Sequence, residues 1–214
     1  MTDEGRQGQY NENFIIALQW LWGDGYLAPG GAAEVAELLS TVDLSSCRTL
    51  DVGSGLGAIG VLLADKYGAS EVVGIDVEAH LIKHSQERAT KAGLADRVRF
   101  QLVEPGPLPF EDGSFDVVFT KDAIVHISYK PAFYAEVLRI LKPGGLFVGS
   151  DWLRGGSGEI PPIGAKWLEF VHLNFLMKNL DETRDELEGS GFMNVSMNDR
   201  NAWYQNEVKA ELAA

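Results

Sequence analysis

Nothing constrains this chain more than Thr49-Leu50-Asp51-Val52-Gly53-Ser54-Gly55-Leu56-Gly57, an apolar run that ends in alternating glycines and opens into Ile59-Gly60-Val61-Leu62-Leu63. The pattern predicts a buried parallel strand, a tight turn and the first turn of a helix, because apolar segments flank the glycines directly where a linker would be polar. Glycines at alternate positions remove the Cβ atoms that would hold a ligand off the backbone, and they allow the positive φ angles such a turn needs. The expected occupant is a nucleotide-like molecule. Gly53, Gly55 and Ala58 also satisfy the G-x-G-x-x-A dinucleotide fingerprint, with Asp76 ending the next apolar run. The turn alone therefore leaves the identity of that molecule open.

The chain continues in alternation. Strands are expected at about 48–53, 71–76, 98–104, 115–120 and 145–150, with helices at 56–67, 78–93 and 130–141 and only a loop around Leu108-Pro109-Phe110 between the third and fourth strands. Such alternation means an α/β fold, a mostly parallel sheet with helices on both faces and a binding crevice at the carboxyl ends of the strands. Asp51, Asp76, Glu104, Asp122 and Asp151 fall at those ends and read together as a functional rim. Ahead of the sheet, Glu12 to Trp22 reads as a short buried helix stopped by Gly23-Asp24-Gly25, and Ala32 to Leu39 as a second helix with Glu34 and Glu37 toward solvent. Gly155-Gly156-Ser157-Gly158 suits a lid. It is followed by a helix carrying Trp167, Phe170 and Phe175, a polar helix from Asp181 to Glu188 with Asp181 as N-cap, a sixth strand begun by Gly191-Phe192-Met193-Asn194-Val195, and a last helix from Ala202. The expected organisation is a single domain over 1–214: an N-terminal helical cap (1–45), a ligand-binding core (46–152), a lid or substrate insertion (153–192), and a C-terminal strand and helix (193–214).

Composition narrows the partners. A net charge of −13 over 214 residues argues against a nucleic-acid backbone or an anionic membrane, either of which needs a basic face, and favours a small molecule. Cys47 is the only cysteine, so neither an intrachain disulfide nor a zinc cluster is expected, and no metal is assigned. Met1-Thr2-Asp3-Glu4-Gly5-Arg6 lacks the apolar core of a signal peptide, and no run approaches ~20 apolar residues. The expected location is cytoplasmic, as a monomer or homodimer.

Three features turn the open reading of the glycine turn toward one ligand. Asp51 stands before the glycines, where a carboxylate can take an amino-acid ammonium directly or through water. Leu108-Pro109-Phe110-Glu111-Asp112-Gly113-Ser114-Phe115-Asp116 follows the third strand, and Leu141-Lys142-Pro143-Gly144-Gly145 precedes the fifth. Together these resemble the class I S-adenosylmethionine (SAM)-dependent methyltransferases, with a Rossmann-like fold. The resemblance implies that Gly53, Ser54, Gly55 and Gly57 wrap the methionine part of SAM, that Asp76 takes the ribose hydroxyls, and that Glu104 meets the adenine amino group beside Val77. Pro105 offers no N–H to the adenine ring. Lys121 stands where relatives carry arginine and is assigned to the cofactor side or to solvent. The seventh, antiparallel strand usual in this fold has no counterpart in the sequence.

Asp122-Ala123-Ile124-Val125-His126, with Gln9-Tyr10 and Gly23-Asp24-Gly25-Tyr26 upstream, looks like the phosphoethanolamine N-methyltransferases over residues 9–152. In that family the residues matched by Tyr10 and His126 form a dyad that closes the site and handles the amine proton, and the acid matched by Asp122 touches the amine. An acid and a histidine four apart are expected on one side of a helical turn. By itself His126 would read as a packed histidine; with Asp122 and Tyr10 beside it, it reads as a proton acceptor. His80, His84 and His172 read as surface or satisfied residues. Residues 151–192 hold no tyrosine to bind a phosphate, and Trp152, Trp167, Phe170 and Phe175 stand there instead, suited to an ammonium by cation–π attraction as well as to packing. Tyr26, Trp152, Trp167 and Phe170 are the candidate acceptor contacts. The expected function is N-methylation of a small amine, phosphoethanolamine not being favoured; O- or C-methylation and non-catalytic binding of SAM or S-adenosylhomocysteine are the alternatives.

Overall fold

The computed structural model describes residues 10–156, 158, 160–171 and 175–213. Helices α1 (Glu12–Trp22) and α2 (Gly31–Leu38) precede an alternation of β1 (Arg48–Val52), α3 (Ala58–Asp65), β2 (Glu71–Asp76), α4 (Ala79–Lys91) and β3 (Val98–Leu102). Then come β4 (Phe115–Lys121), a short 3-10 helix (Ile124–His126), α5 (Lys130–Ile140), β5 (Leu141–Ser150), α6 (Pro162–Val171), α7 (Leu180–Gly189) and α8 (Asn201–Ala213). Among the described residues the strands form one five-stranded sheet in the order β3-β2-β1-β4-β5, every pairing parallel. The order reverses between β1 and β4, which places the ligand crevice at their carboxyl ends. Register makes those ends level: Val52 pairs with Ile75 and Thr120, and Lys121 with Ser150.

A sheet buried on both faces needs strands apolar on both faces, and these are. Val72, Phe100, Val117 and Phe119 pack with Leu63, Ala64 and Ala89 on one side. Leu50, Val73, Ile75 and Val118 pack with Phe133, Tyr134, Val137 and Ile140 on the other. The loop between β3 and β4 has no helix; Leu108 is buried, and Arg139 donates to the carbonyls of Leu108 and Phe110 at 3.0 and 2.7 Å.

The cap sits on the glycine turn. Ile15 of α1 packs with Leu56 of the turn and Leu81 of α4, with Tyr10 and Leu27 at the margin. Only one face of α1 is buried, since Ile16 and Trp20 point to solvent. Arg88 of α4 bridges the two parts, donating to Leu56 O at 3.0 Å and to both Asp24 carboxylate oxygens at 2.8 and 3.0 Å.

Three local expectations change. The N-cap of α7 is Asn179, whose side chain accepts from Glu182 N while Asn179 N donates back to Glu182, a reciprocal box that Asp181, already inside the helix, is not placed to make. The strand expected from Gly191 is not formed among the described residues: Asn194 sits at φ +59°, outside extended backbone, and Met193 is exposed. Glu34 does not face solvent, although Glu37 does. Its side chain is 0% exposed and paired at 2.7 Å with Arg200, the residue just before α8.

Glu34→Gln with Arg200 intact tests little; Arg200→Met is sharper, because it strands a carboxylate in the interior. Urea unfolding should show a loss of about 3 kcal/mol, most of it recovered in the Glu34→Gln/Arg200→Met double variant.

Candidate active site

The glycine turn is held from the neighbouring strand. Gly53 N and Ser54 N donate to Ile75 O at 2.9 and 3.0 Å, and Gly55 N donates to Asp76 Oδ2 at 2.9 Å. Glu78 N donates to Asp76 Oδ1 at 3.0 Å, so the backbone braces both oxygens. Burial pushes the Asp76 carboxyl up from its ordinary value while these N–H groups pull against it. Gly57 caps α3 at φ +80°, and a Cβ there would lie 2.7 Å from Ser85 Cβ and 2.8 Å from Phe100 Cζ. At this position, then, the glycine serves close packing of α3 and α4 as well as the turn.

Asp51 is not on the rim. It is 1% exposed, beneath the start of α3, where the Gly60 N–H reaches it; burial and then the Asp76 charge push its carboxyl up to about 7. Its Oδ2 and Ser54 Oγ are buried with no hydrogen-bond partner among the described residues. Two unanswered polar atoms at a bare backbone turn fit a ligand with donor groups. Past Asp76, the ends of β2 and β3 present Val77 (54% exposed) and Leu102 (49%), two apolar side chains in the open. Glu104 is exposed beside them, and residues 102–107 with Pro109 line a cleft of about 280 Å³.

At the exit of β4 the chain turns sharply. Asp122 has φ +57°, so the helical turn begins only at Ile124, and Asp122 and His126 do not share one as expected. Lys121 is neither solvated nor free: its ammonium is buried, donating to Pro29 O at 2.8 Å and Asp122 Oδ2 at 2.7 Å. Ser150 donates to Asp122 Oδ1 at 3.4 Å. Asp151 likewise turns inward, accepting from Val125 N at 3.0 Å, and burial pushes its carboxyl up to about 7. Of the five acids read as a rim, Asp51, Asp122 and Asp151 are thus tied into the protein; burial is tolerated because each finds backbone or ammonium donors.

The structure does bring Tyr10 to His126. Tyr10 Oη lies 3.4 Å from His126 Nε2, although 116 residues separate them, and the rings meet edge to face at 6.2 Å. Burial, then the charges of Asp76, Asp122 and Glu78, push the Tyr10 phenol above its ordinary value, so it stays neutral. His126 also meets Phe175 at 5.0 Å, and Phe175 stacks at 6.4 Å on Trp152, which touches Tyr204 of α8 at 6.1 Å. Trp152 is therefore near the dyad. Tyr26 is packed within the cap beside Gly23 and Gly31. Trp167 and Phe170 belong to α6, but their side chains fall outside the described residues, as does His172. Sequence reasoning missed His80, whose Nε2 lies 2.6 Å from Tyr10 O, and Tyr204; no spacing rule links residues so distant. Among the described residues no three histidines, cysteines or acids are grouped to hold a metal, and no helix is long and apolar enough to cross a membrane.

Residues 43–206 match the family described as a methyltransferase domain. The chain belongs to that family. Its fold is the Rossmann-like one of the class I SAM-dependent methyltransferases, as expected. A phosphoethanolamine N-methyltransferase of Arabidopsis thaliana is 31% identical over 206 residues, 95% of this chain and 40% of that protein. One from Plasmodium falciparum is 25% identical over 207 residues, 95% of this chain and 75% of that one. Among solved structures, a Haemonchus contortus phosphoethanolamine N-methyltransferase in complex with phosphomonomethylethanolamine and S-adenosylhomocysteine superposes with a TM-score of 0.87 at 26% identity, over 96% of this chain and 48% of that one. The chain thus spans about two fifths of the length of the plant relative it matches.

The raised Asp51 carboxyl fixes a sign for stability. Between the ordinary carboxylate value and about 7, the folded domain keeps a proton that the unfolded chain has lost, so this group's contribution falls as pH rises through that window and levels off above it. Chemical denaturation from pH 4 to 8 should show that decline in the ligand-free protein, and Asp51→Asn should make it shallower, with Asp151, raised in the same way, supplying part of what is left.

Proposed function

We propose that this domain transfers a methyl group from SAM to the nitrogen of a small amine. The observation that carries the reading is the meeting of Tyr10 and His126 at 3.4 Å beside the braced glycine turn. Gly53, Ser54, Gly55 and Gly57 would hold the methionine part, Asp51 behind them the ammonium, Asp76 the ribose, and Val77 with Glu104 the adenine. When bound, SAM supplies an electrophilic methyl on sulfonium sulfur.

The protein's own task is the acceptor. A protonated amine has no lone pair to attack with, so a group at the site must take its proton first. His126 is the group placed to take it, since an imidazole can both accept and return a proton. Tyr10, kept neutral, can donate its hydroxyl hydrogen to the free imidazole or accept from the imidazolium, which covers both states of the dyad. Asp122, its charge balanced by Lys121, would offer the amine a carboxylate acceptor, and Trp152 and Phe175 add aromatic surface near His126. The relatives named above act on phosphoethanolamine by their descriptions, which supports an amine acceptor. Arg154, Lys178 and Arg200, three of the six cations after β5, are engaged with Glu182, Glu186 and Glu34, which leaves fewer of them for a phosphate and favours a phosphate-free amine.

Incubation with SAM and a panel of ethanolamine, phosphoethanolamine, glycine and aromatic amines should yield S-adenosylhomocysteine and a methylated amine. His126→Ala should lower kcat by about 10²–10⁴-fold. Methylation of a hydroxyl or carbon with no amine turned over would contradict the reading.

A further inference from the structure

The turn that carries His126 is fixed from below by a lysine that the transfer itself does not need. Lys130 opens α5 and is 3% exposed. Its ammonium donates to Ile124 O at 2.7 Å and to Ile127 O at 3.1 Å, the first residue of the 3-10 helix and the residue just after its end. Those carbonyls bracket His126. Ile124 O already accepts from Ile127 N at 2.8 Å, so the ammonium is its second donor, whereas Ile127 O lies past the turn, where water or a neutral side chain is the usual partner at a surface. An ammonium in this place is a costly solution, because burying the charge disfavours it, and burial does lower the Lys130 pKa.

The rest of the turn is pinned as well, but around Val125. Val125 N donates to Asp151 Oδ1 at 3.0 Å, and Leu176 N donates to Val125 O at 2.7 Å. Within the backbone, Ile127 N closes the turn on Ile124 O and His126 N donates to Ala123 O at 3.2 Å; Asp151 and Leu176 hold the residue before His126, and the lysine is the side chain that spans across it. Asp151 and Glu186 lie close enough to favour the charged lysine against burial. Among the described side chains bonded to this segment, Lys130 is the one that ties both ends to one atom, reinforcing the bond from Ile127 N to Ile124 O.

We propose that Lys130 is a positioning residue for His126: by holding both ends of the 124–127 segment on one ammonium, it keeps the imidazole within reach of Tyr10. The proposal rests on the Tyr10–His126 reading above. A displacement of about 1 Å at a reacting group costs on the order of 10²-fold in rate, so a loosened turn acts on kcat more than on ligand binding.

The test compares wild type, Lys130→Met, Lys130→Arg, His126→Ala and the His126→Ala/Lys130→Met double variant, assayed with SAM and whichever of ethanolamine, phosphoethanolamine or glycine turns over fastest. Lys130→Met should lose about 10–100-fold in kcat, with amine KM and calorimetric S-adenosylhomocysteine affinity within threefold of wild type. Lys130→Arg should recover most of the loss, and the His126 imidazole signals in 15N NMR should broaden in Lys130→Met. On the His126→Ala background, Lys130→Met should have no further effect, since nothing is left to position. Should the methionine variant not fold, Lys130→Gln, which keeps a donor for one carbonyl, carries the same comparison. Full kcat in Lys130→Met, or an equal loss on the His126→Ala background, overturns the proposal alone. Full turnover by His126→Ala overturns the dyad and the proposal together.

Discussion

The hydrogen bond from Gly55 N to Asp76 Oδ2, 2.9 Å long, is the contact on which the rest of the site depends. It ties the turn after β1 to the end of β2 through a carboxylate held on its other oxygen by Glu78 N. The turn cannot be bare and rigid at once without such a tie: glycines give close approach but also freedom, and an external acceptor removes the freedom. Once the turn is fixed, Leu56 has a set position. Ile15 and Leu81 close on it, and α1 brings Tyr10 to His126.

The cap is therefore part of the site. Arg88 binds Leu56 O and Asp24, and His80, four residues before the His84 that touches Glu12 of α1, holds the carbonyl of Tyr10. His80 and Arg88 both come from α4, whose other face is buried at Ser85 and Ala89. One helix thus sets the distance between core and cap, and tight packing transmits it because interiors have little slack.

Much of this was legible in the sequence. The β1–turn–α3 unit, the order of alternation and the helix over 12–22 follow from apolar period and glycine placement, which are local signals. Tyr10 and His126 were legible through resemblance alone, since nothing within 116 residues of intervening chain predicts their contact. The acids were the weakest part. Asp51, Asp122 and Asp151 stand at strand ends, where solvent is the default expectation, yet each turns inward because a backbone N–H or Lys121 waits there. Glu34 shows the same failure on a helix: its spacing reads as outward, but Arg200 arrives from 166 residues away to accept it inside. Charge burial is decided by partners distant in sequence, and spacing carries no information about them.

Fold and chemistry separate at this point. One fold hosts many chemistries, so the sheet alone does not dictate methyl transfer. What the sheet dictates is where an adenosyl ligand would lie. Calorimetric titration of S-adenosylhomocysteine into wild type and Asp76→Ala tests that most directly. The account predicts binding by wild type and at least tenfold weaker binding by a folded Asp76→Ala variant; equal affinity in the two, or a wild type that takes up NAD and ignores S-adenosylhomocysteine, would contradict it.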